Sequence, residues 1–156
     1  MYPIETIRHS AAHLMAAAVR RLYPDAKFDI GPSTDDGFYY DFDLEHRLVP
    51  EDFAAIEAEI RKIIKENVPF ERIEVSREEA AKTFAEQPYK LERLADIEDG
   101  APITLYKSGD FTDLCRGPHL KDTSVIKAVK LTAIAGAYWR GDQDRQMLTR
   151  VYGVTF

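Results

Sequence analysis

The chain has 156 residues, 45 % of them apolar and 11 % aromatic, with a formal charge of −6. That length suits one domain with a substantial core, and the acidic balance excludes general coating of nucleic acid, which needs a basic surface. No apolar run approaches the roughly 18–20 residues that span a bilayer, no charged-then-apolar leader opens the chain, and the single cysteine agrees with a reducing cytoplasm.

A first helix is predicted from about Pro3–Thr6 to Tyr23-Pro24, where proline cannot continue it. Ile7, Leu14, Met15 and Leu22 form its apolar stripe, and Ala11, Ala12, Ala16, Ala17 and Ala18 make it slim. Lys27–Ile30 and the aromatic run Gly37–Phe42, separated by Gly31-Pro32 and a polar turn, read as a hairpin. A second helix starts at Pro50 and carries Phe53, Ile56, Ile60, Ile63 and Ile64 at three- and four-residue spacing. Its other face, with Glu57, Glu59, Arg61, Lys62 and Lys65, is solvated. Phe70–Val75 reads as a strand. Ser76-Arg77-Glu78-Glu79 has capping-box spacing for a short helix stopped by Pro88, and a further short helix covers Lys90–Ile97.

Ile103–Lys107 and Phe111–Leu114 flank Ser108-Gly109-Asp110 as a second hairpin. Val125–Ala135 and Met147–Val154 read as strands on either side of an aromatic turn, Gly136–Asp142. The fold class is α+β, a mostly antiparallel sheet with helices packed on it, in a single domain over residues 1–156.

Chemistry concentrates in two short segments. His9 and His13 lie four residues apart on one helix face, and Cys115 and His119 repeat that spacing. Four donors of these types suit zinc, which would ionise a bound water near neutral pH. The same groups suit metal-free proton transfer by neutral imidazole, with a lysine holding an oxyanion. His46, between Glu45 and Arg47, reads as surface.

Four blocks carry a resemblance: His9–His13, Gly37–Asp41, Asp113-Leu114-Cys115-Arg116-Gly117-Pro118-His119, and Gly136–Asp142 with Ala-Tyr-Trp-Arg-Gly-Asp. Together, in this order, they resemble the editing domain of bacterial-type threonyl-tRNA synthetase, with the related alanyl-tRNA editing proteins sharing the fold. The resemblance implies the editing-domain fold of these synthetases and a hydrolase that cleaves serine from mischarged tRNA(Thr) at the terminal adenosine. It implies a unit without the aminoacylation and anticodon-binding domains. Its partners would be the tRNA acceptor end and a parent synthetase catalytic domain, in the cytoplasm and away from membranes.

Carried over by motif, the catalytic set is His9, Lys90, Asp113, His13, Cys115 and His119, with Tyr40, Arg116 and Gly117 at the substrate. The threonyl branch implies no cofactor; the alanyl alternative places zinc on His9, His13, Cys115 and His119. A non-catalytic module for the tRNA end is the third reading. In the editing reading His9 positions or deprotonates the water, Lys90 faces the developing oxyanion or leaving hydroxyl, and Asp113 recognises the amino acid. A methyl group is worth only about 1–3 kcal/mol in an apolar pocket, so the alanine-rich helix and the Cys115–Gly117 turn are expected to wall out threonine. Arg20, Arg21, Lys127, Lys130, Arg140, Arg145 and Arg150 are the expected basic rim for phosphates, with Tyr138 or Trp139 as a base-stacking platform or, for the tryptophan, as core.

Overall fold

A computed structural model, describing residues 2–156, wraps the chain around its first helix. Helix α1 (Ile4–Leu22) follows Pro3, carries Glu5 in its first turn and Arg20 and Arg21 in its last, so its charges complement the helix dipole. Every residue from Ser10 to Val19 is buried. A helix buried all round needs neighbours on every side, and the alanines let them come close. Those neighbours are α2 (Phe53–Lys65), the strands β2 (Phe38–Asp43) and β7 (Met147–Thr155), and β5 (Phe111–Leu114). Ile56, Ile60 and Ile63 seal the α2 side, each contributing about 1.5–3 kcal/mol by leaving water.

The fold is α+β with antiparallel strands, as expected, and the strands form two sheets. One has the order β1-β2-β7-β6, with β1 at Lys27–Phe28 and β6 at Val129–Tyr138. The other has the order β3-β4-β5, with β3 at Glu71–Val75 and β4 at Ile103–Ser108. The first hairpin is present with a very short first strand, Phe28 facing Phe42. Its ladder continues irregularly, Asp29 N–H to the Asp41 carbonyl and Asp41 N–H to that of Ile30, both at 3.0 Å. The second hairpin pairs Ser108 with Phe111.

Helix α3 (Arg77–Thr83) has the expected capping box: the Glu79 N–H donates to Ser76 Oγ at 3.1 Å, and the Ser76 N–H donates to the Glu79 carboxylate. It ends before Pro88, which instead opens α4 (Pro88–Ala95) as a first-turn proline. Residues 123–125 form a 3₁₀ turn, so β6 starts at Val129, not Val125, and runs on to Tyr138, which pairs with Met147. The aromatic turn is therefore shorter than expected. Arg140 and Gly141 take positive φ (56° and 72°) within it.

Candidate functional site

Four elements meet the N-terminal half of α1. The helix supplies His9, Ser10 and His13; α4 supplies Lys90; β2 supplies Tyr40; β5 supplies Asp113. The loop after β5 supplies Cys115, Gly117 and His119. A glycine is needed at 117: its φ is +73°, and a Cβ there would sit 2.5 Å from the Tyr106 hydroxyl. This tight loop turns Cys115 back onto the helix.

Cys115 Sγ lies 3.4 Å from His9 Nε2 and 3.3 Å from His119 Nε2, and accepts the Gly117 N–H at 3.2 Å. His119 Nδ1 lies 2.9 Å from Ser10 Oγ, which also accepts the Leu120 N–H at 3.1 Å. Burial pushes the His119 imidazole down to about 2 and the Cys115 thiol up to about 12. Burial likewise lowers His9, against the pull of Asp113. The cluster is therefore a neutral one at pH 7, two imidazoles around a thiol.

Behind it lies a charged layer. Lys90, only 2 % exposed, donates to Asp113 Oδ1, to the Asp29 carbonyl and to the Tyr40 hydroxyl, the last at 3.1 Å. All three ammonium protons are thus engaged. The Tyr40 hydroxyl donates to Asp113 Oδ2 at 3.0 Å. Burial pulls Asp113 upward most strongly, yet the Lys90 ammonium, His13 and the Tyr40 hydroxyl together hold the carboxyl below its ordinary range. Burial, then the Asp113 charge, drives Tyr40 well above the usual phenol range.

Two cavities open onto these groups. One of about 310 Å³ is walled by His9, Gly31, Pro32, Ser33, Lys90 and Asp113. A second of about 190 Å³ is lined by Lys90, Arg93, Ile97, Pro102, Thr104 and Arg116, among others. Both also touch Ile30, Leu114 and Cys115, so they form one bent cleft.

The structure brings His9, Cys115 and His119 of the two spaced pairs together with Lys90 and Asp113, which only the family resemblance had singled out, and it moves others. Tyr40 is 1 % exposed and lines neither cavity; it lies beneath the cleft, bracing Lys90 and Asp113, not at the substrate end. His13 is fully buried behind Asp113, with Nε2 2.7 Å from Ser108 Oγ and its Nδ1 3.9 Å from Asp113 Oδ2. It therefore stands outside the four-donor zinc set. Among the described residues the ligand atoms that gather, within 4.8 Å of one another, are those of His9, Cys115 and His119. Arg116 is exposed on the wall of the smaller cavity, and Gly117 contributes its N–H to the thiol.

The expected walls and rim are also corrected. Ala11, Ala12 and Ala16–Ala18 are core, not cavity lining; Gly31, Pro32 and Ser33 take that place. Arg20, Arg21, Arg140, Arg145 and Arg150 are each committed to a carboxylate, of Asp110, Glu66, Asp96, Glu92 and Asp41 respectively. Lys127 and Lys130 are exposed. Trp139 is core, its Nε1 donating to Glu92 at 2.6 Å, whereas Tyr138 is 42 % exposed. His46 is exposed as expected, stacked on Tyr23. Ser10, Ser108 and the Asp29–Arg93 pair were not singled out from the sequence. Single serines and a pair 64 residues apart leave no periodic trace.

Comparison with known proteins agrees with this architecture. Residues 103–152 match the Threonyl and Alanyl tRNA synthetase second additional domain. The chain is 56 % identical over 154 residues to a threonine–tRNA ligase of Clostridioides difficile (97 % of this chain, 24 % of the relative). It is 56 % identical over 155 residues to that of Lawsonia intracellularis, and 53 % identical over 155 residues to that of Geobacillus kaustophilus (98 % of this chain and 24 % of the relative in each). This chain is thus similar to the stretch of threonine–tRNA ligases that holds their second additional domain. It spans about a quarter of the length of these relatives. Among the described residues no helix is long and apolar enough to cross a membrane.

Proposed function

We propose that this chain is a single editing unit that hydrolyses seryl-tRNA(Thr), cleaving the ester between serine and the terminal adenosine. The observation that carries this reading is that His9, Lys90 and Asp113 share one cavity wall, with Cys115 at the bend of the cleft. An aminoacyl ester is already activated, so placing a water and stabilising the tetrahedral oxyanion suffice. His9 is neutral at pH 7 because burial lowers it, which leaves a ring nitrogen free to orient a water or take its proton. Lys90 acts through its charge, since its protons are spent on Asp29, Tyr40 and Asp113. Asp113 presents its carboxylate to the serine amino or hydroxyl group at the floor of the same cavity.

The end of the cleft walled by His9, Gly31, Pro32 and Ser33 takes the amino acid, and the nucleoside lies toward the end flanked by Arg93 and Arg116. Exclusion of threonine then falls to Gly31, Pro32 and Ser33 with Cys115. A Cβ on Gly31 would sit 2.1 Å from Tyr40, so this wall already touches the layer beneath and has little room to yield. Phosphates of the acceptor end meet Lys127 and Lys130, the exposed lysines of the expected rim. A parent synthetase supplies aminoacylation.

His9, Cys115 and His119 form a donor set that fits zinc, two imidazoles and a thiol at 3.3–3.4 Å spacings, and they would hold it. Such an ion would supply Lewis acidity or a water ionised near neutral pH. We favour a metal-free site because the Lys90 ammonium already places a positive charge beside the cluster. The test is release of serine and of threonine from charged tRNA(Thr), with and without chelator. Serine release that resists chelator and outpaces threonine supports the reading; equal rates remove the sieve, and chelator sensitivity transfers the chemistry to zinc.

A further inference from the structure

Successive side chains of a strand face opposite ways, so the sheet β1-β2-β7-β6 has a second face besides the one packed on α1 and α2. Phe38, Tyr40 and Phe42 of β2 and Val151 of β7 belong to the core. Tyr39, Asp41, Arg150 and Tyr152 therefore point the other way, where the register sets Tyr39 opposite Tyr152 and Asp41 opposite Arg150. Their neighbours on β6 are Ala133 and Ala135, both exposed, so that strand leaves the two tyrosines uncovered.

This face carries a fixed stack. The Arg150 guanidinium donates two hydrogen bonds to the Asp41 carboxylate, at 2.8 and 3.0 Å, and these hold it over the Tyr39 ring, 4.0 Å from the centroid. The Tyr152 ring lies 5.7 Å from that of Tyr39, tilted by 54°. All three side chains are half-buried, and an open groove of about 490 Å³ runs beside Tyr152, between residues 36–38 and residues 132–133. Aromatic rings and a guanidinium held in place suit the stacking of unpaired bases, a contact every base can make.

The platform is continuous with the cleft. Arg93, at the nucleoside end, donates to the Asp29 carboxylate at 2.9 and 3.1 Å, the Asp29 N–H donates to the Asp41 carbonyl, and the Asp41 side chain holds Arg150. The Pro32 carbonyl, on the cleft wall, accepts the Tyr39 N–H at 3.3 Å. Trp139, a stacking candidate in the sequence, is core and leaves that role open.

We infer that Arg150, Tyr39 and Tyr152 form a stacking platform for single-stranded RNA, and that it takes the unpaired nucleotides leading to the esterified adenosine. The identity of that RNA rests on the editing function proposed above; the platform rests on the sheet face alone. Asp36 borders the groove, so the phosphates run on the Arg150 side with the bases turned to the rings.

Proton NMR of the full chain titrated to millimolar with a four-nucleotide RNA ending in CCA tests the platform without catalysis. The expected result is an upfield shift of the Tyr39 and Tyr152 ring protons, with those of Tyr23, stacked on His46 at the far end of α1, unmoved. Tyr39 and Tyr152 rings that stay in place overturn the inference. In the deacylation assay Tyr152→Ala raises KM for seryl-tRNA(Thr) about five- to hundredfold, the worth of one stacked base, with kcat unchanged. Tyr152→Phe, which keeps the ring face, keeps the native KM, and both variants hydrolyse seryl-adenosine, which ends at the nucleoside, at the native rate. A native KM in Tyr152→Ala, or an equal loss on seryl-adenosine, overturns the platform. A chain that releases no serine yet shifts both rings defeats the editing function and leaves the platform standing.

Discussion

Lys90 and Asp113 form a buried ion pair, 2 % and 6 % exposed, and removing one charge from such a pair is the sharpest perturbation of this site. In Lys90→Met the carboxylate keeps only the Tyr40 hydroxyl. Burial, already the largest single influence on this carboxyl, is then less opposed, and Asp113 shifts toward its protonated form. Breaking a buried pair from one side costs about 3–5 kcal/mol, which for a domain of this size lowers Tm by roughly 6–20 °C. Replacing both ends, Lys90→Met with Asp113→Leu, removes the stranded charge and recovers most of that stability. Serine release stays abolished in both variants. Urea unfolding of the native chain, the two single variants and the double variant gives the cycle, and the deacylation assay runs on the same samples. A Lys90→Met protein within about 1 kcal/mol of native would show that the pair is not the buried unit described here. A double variant that regained activity would remove Lys90 and Asp113 from the chemistry.

Three further outcomes follow from the geometry. His13 and His119 titrate in the unfolded chain near pH 6.5 but are pushed down to about 4 and about 2 when folded. Stability is therefore complete above about pH 6.5 and falls as pH drops toward 4, by up to about 2.7 kcal/mol per pH unit for the two together. A urea midpoint that stayed flat from pH 6.5 to 4.5 would contradict their burial as neutral groups, and His119→Asn should halve the slope. Cys115, pushed up to about 12, should alkylate about a hundredfold or more slowly than a free thiol at pH 7.5; a rapid reaction would mean an ionised cluster. Gly117→Ala must fit a Cβ against Tyr106 at a positive φ, which costs about 1–3 kcal/mol and displaces Cys115. A native-like urea midpoint would show that the loop relaxes freely.

The parts of this molecule that sequence made legible are those with a period or a paired spacing. Isoleucines at three- and four-residue intervals drew α2, and Ser76 with Glu79 drew the start of α3. The two pairs, His9 with His13 and Cys115 with His119, located the cluster, although nothing local showed that Cys115 would turn back onto α1. What stayed hidden depends on partners distant in the chain. The β6 start moved because Val125 closes a 3₁₀ turn whose Thr123 hydroxyl donates to the α2 carbonyls of Ile63 and Ile64. Arg150 read as surface until β2 placed Asp41 opposite it, and their two side chains joined at 2.8 and 3.0 Å. His13 shares its helix face with His9, yet the Ser108 turn, 95 residues on, draws it behind the site. Tyr40 sits in a strand whose neighbours Asp41 and Phe42 are buried with it, and only the packed fold shows that its hydroxyl meets Asp113.

The central claim is that imidazole, thiol, ammonium and carboxylate from five elements serve one scissile ester. The direct measurement is single-turnover deacylation of seryl-tRNA(Thr) by the native chain beside its His9→Ala variant. The account predicts rapid serine release by the native chain and a fall of about a hundredfold or more without His9, as for loss of a positioned base. Release at the native rate by His9→Ala, or none by the native chain, would contradict it.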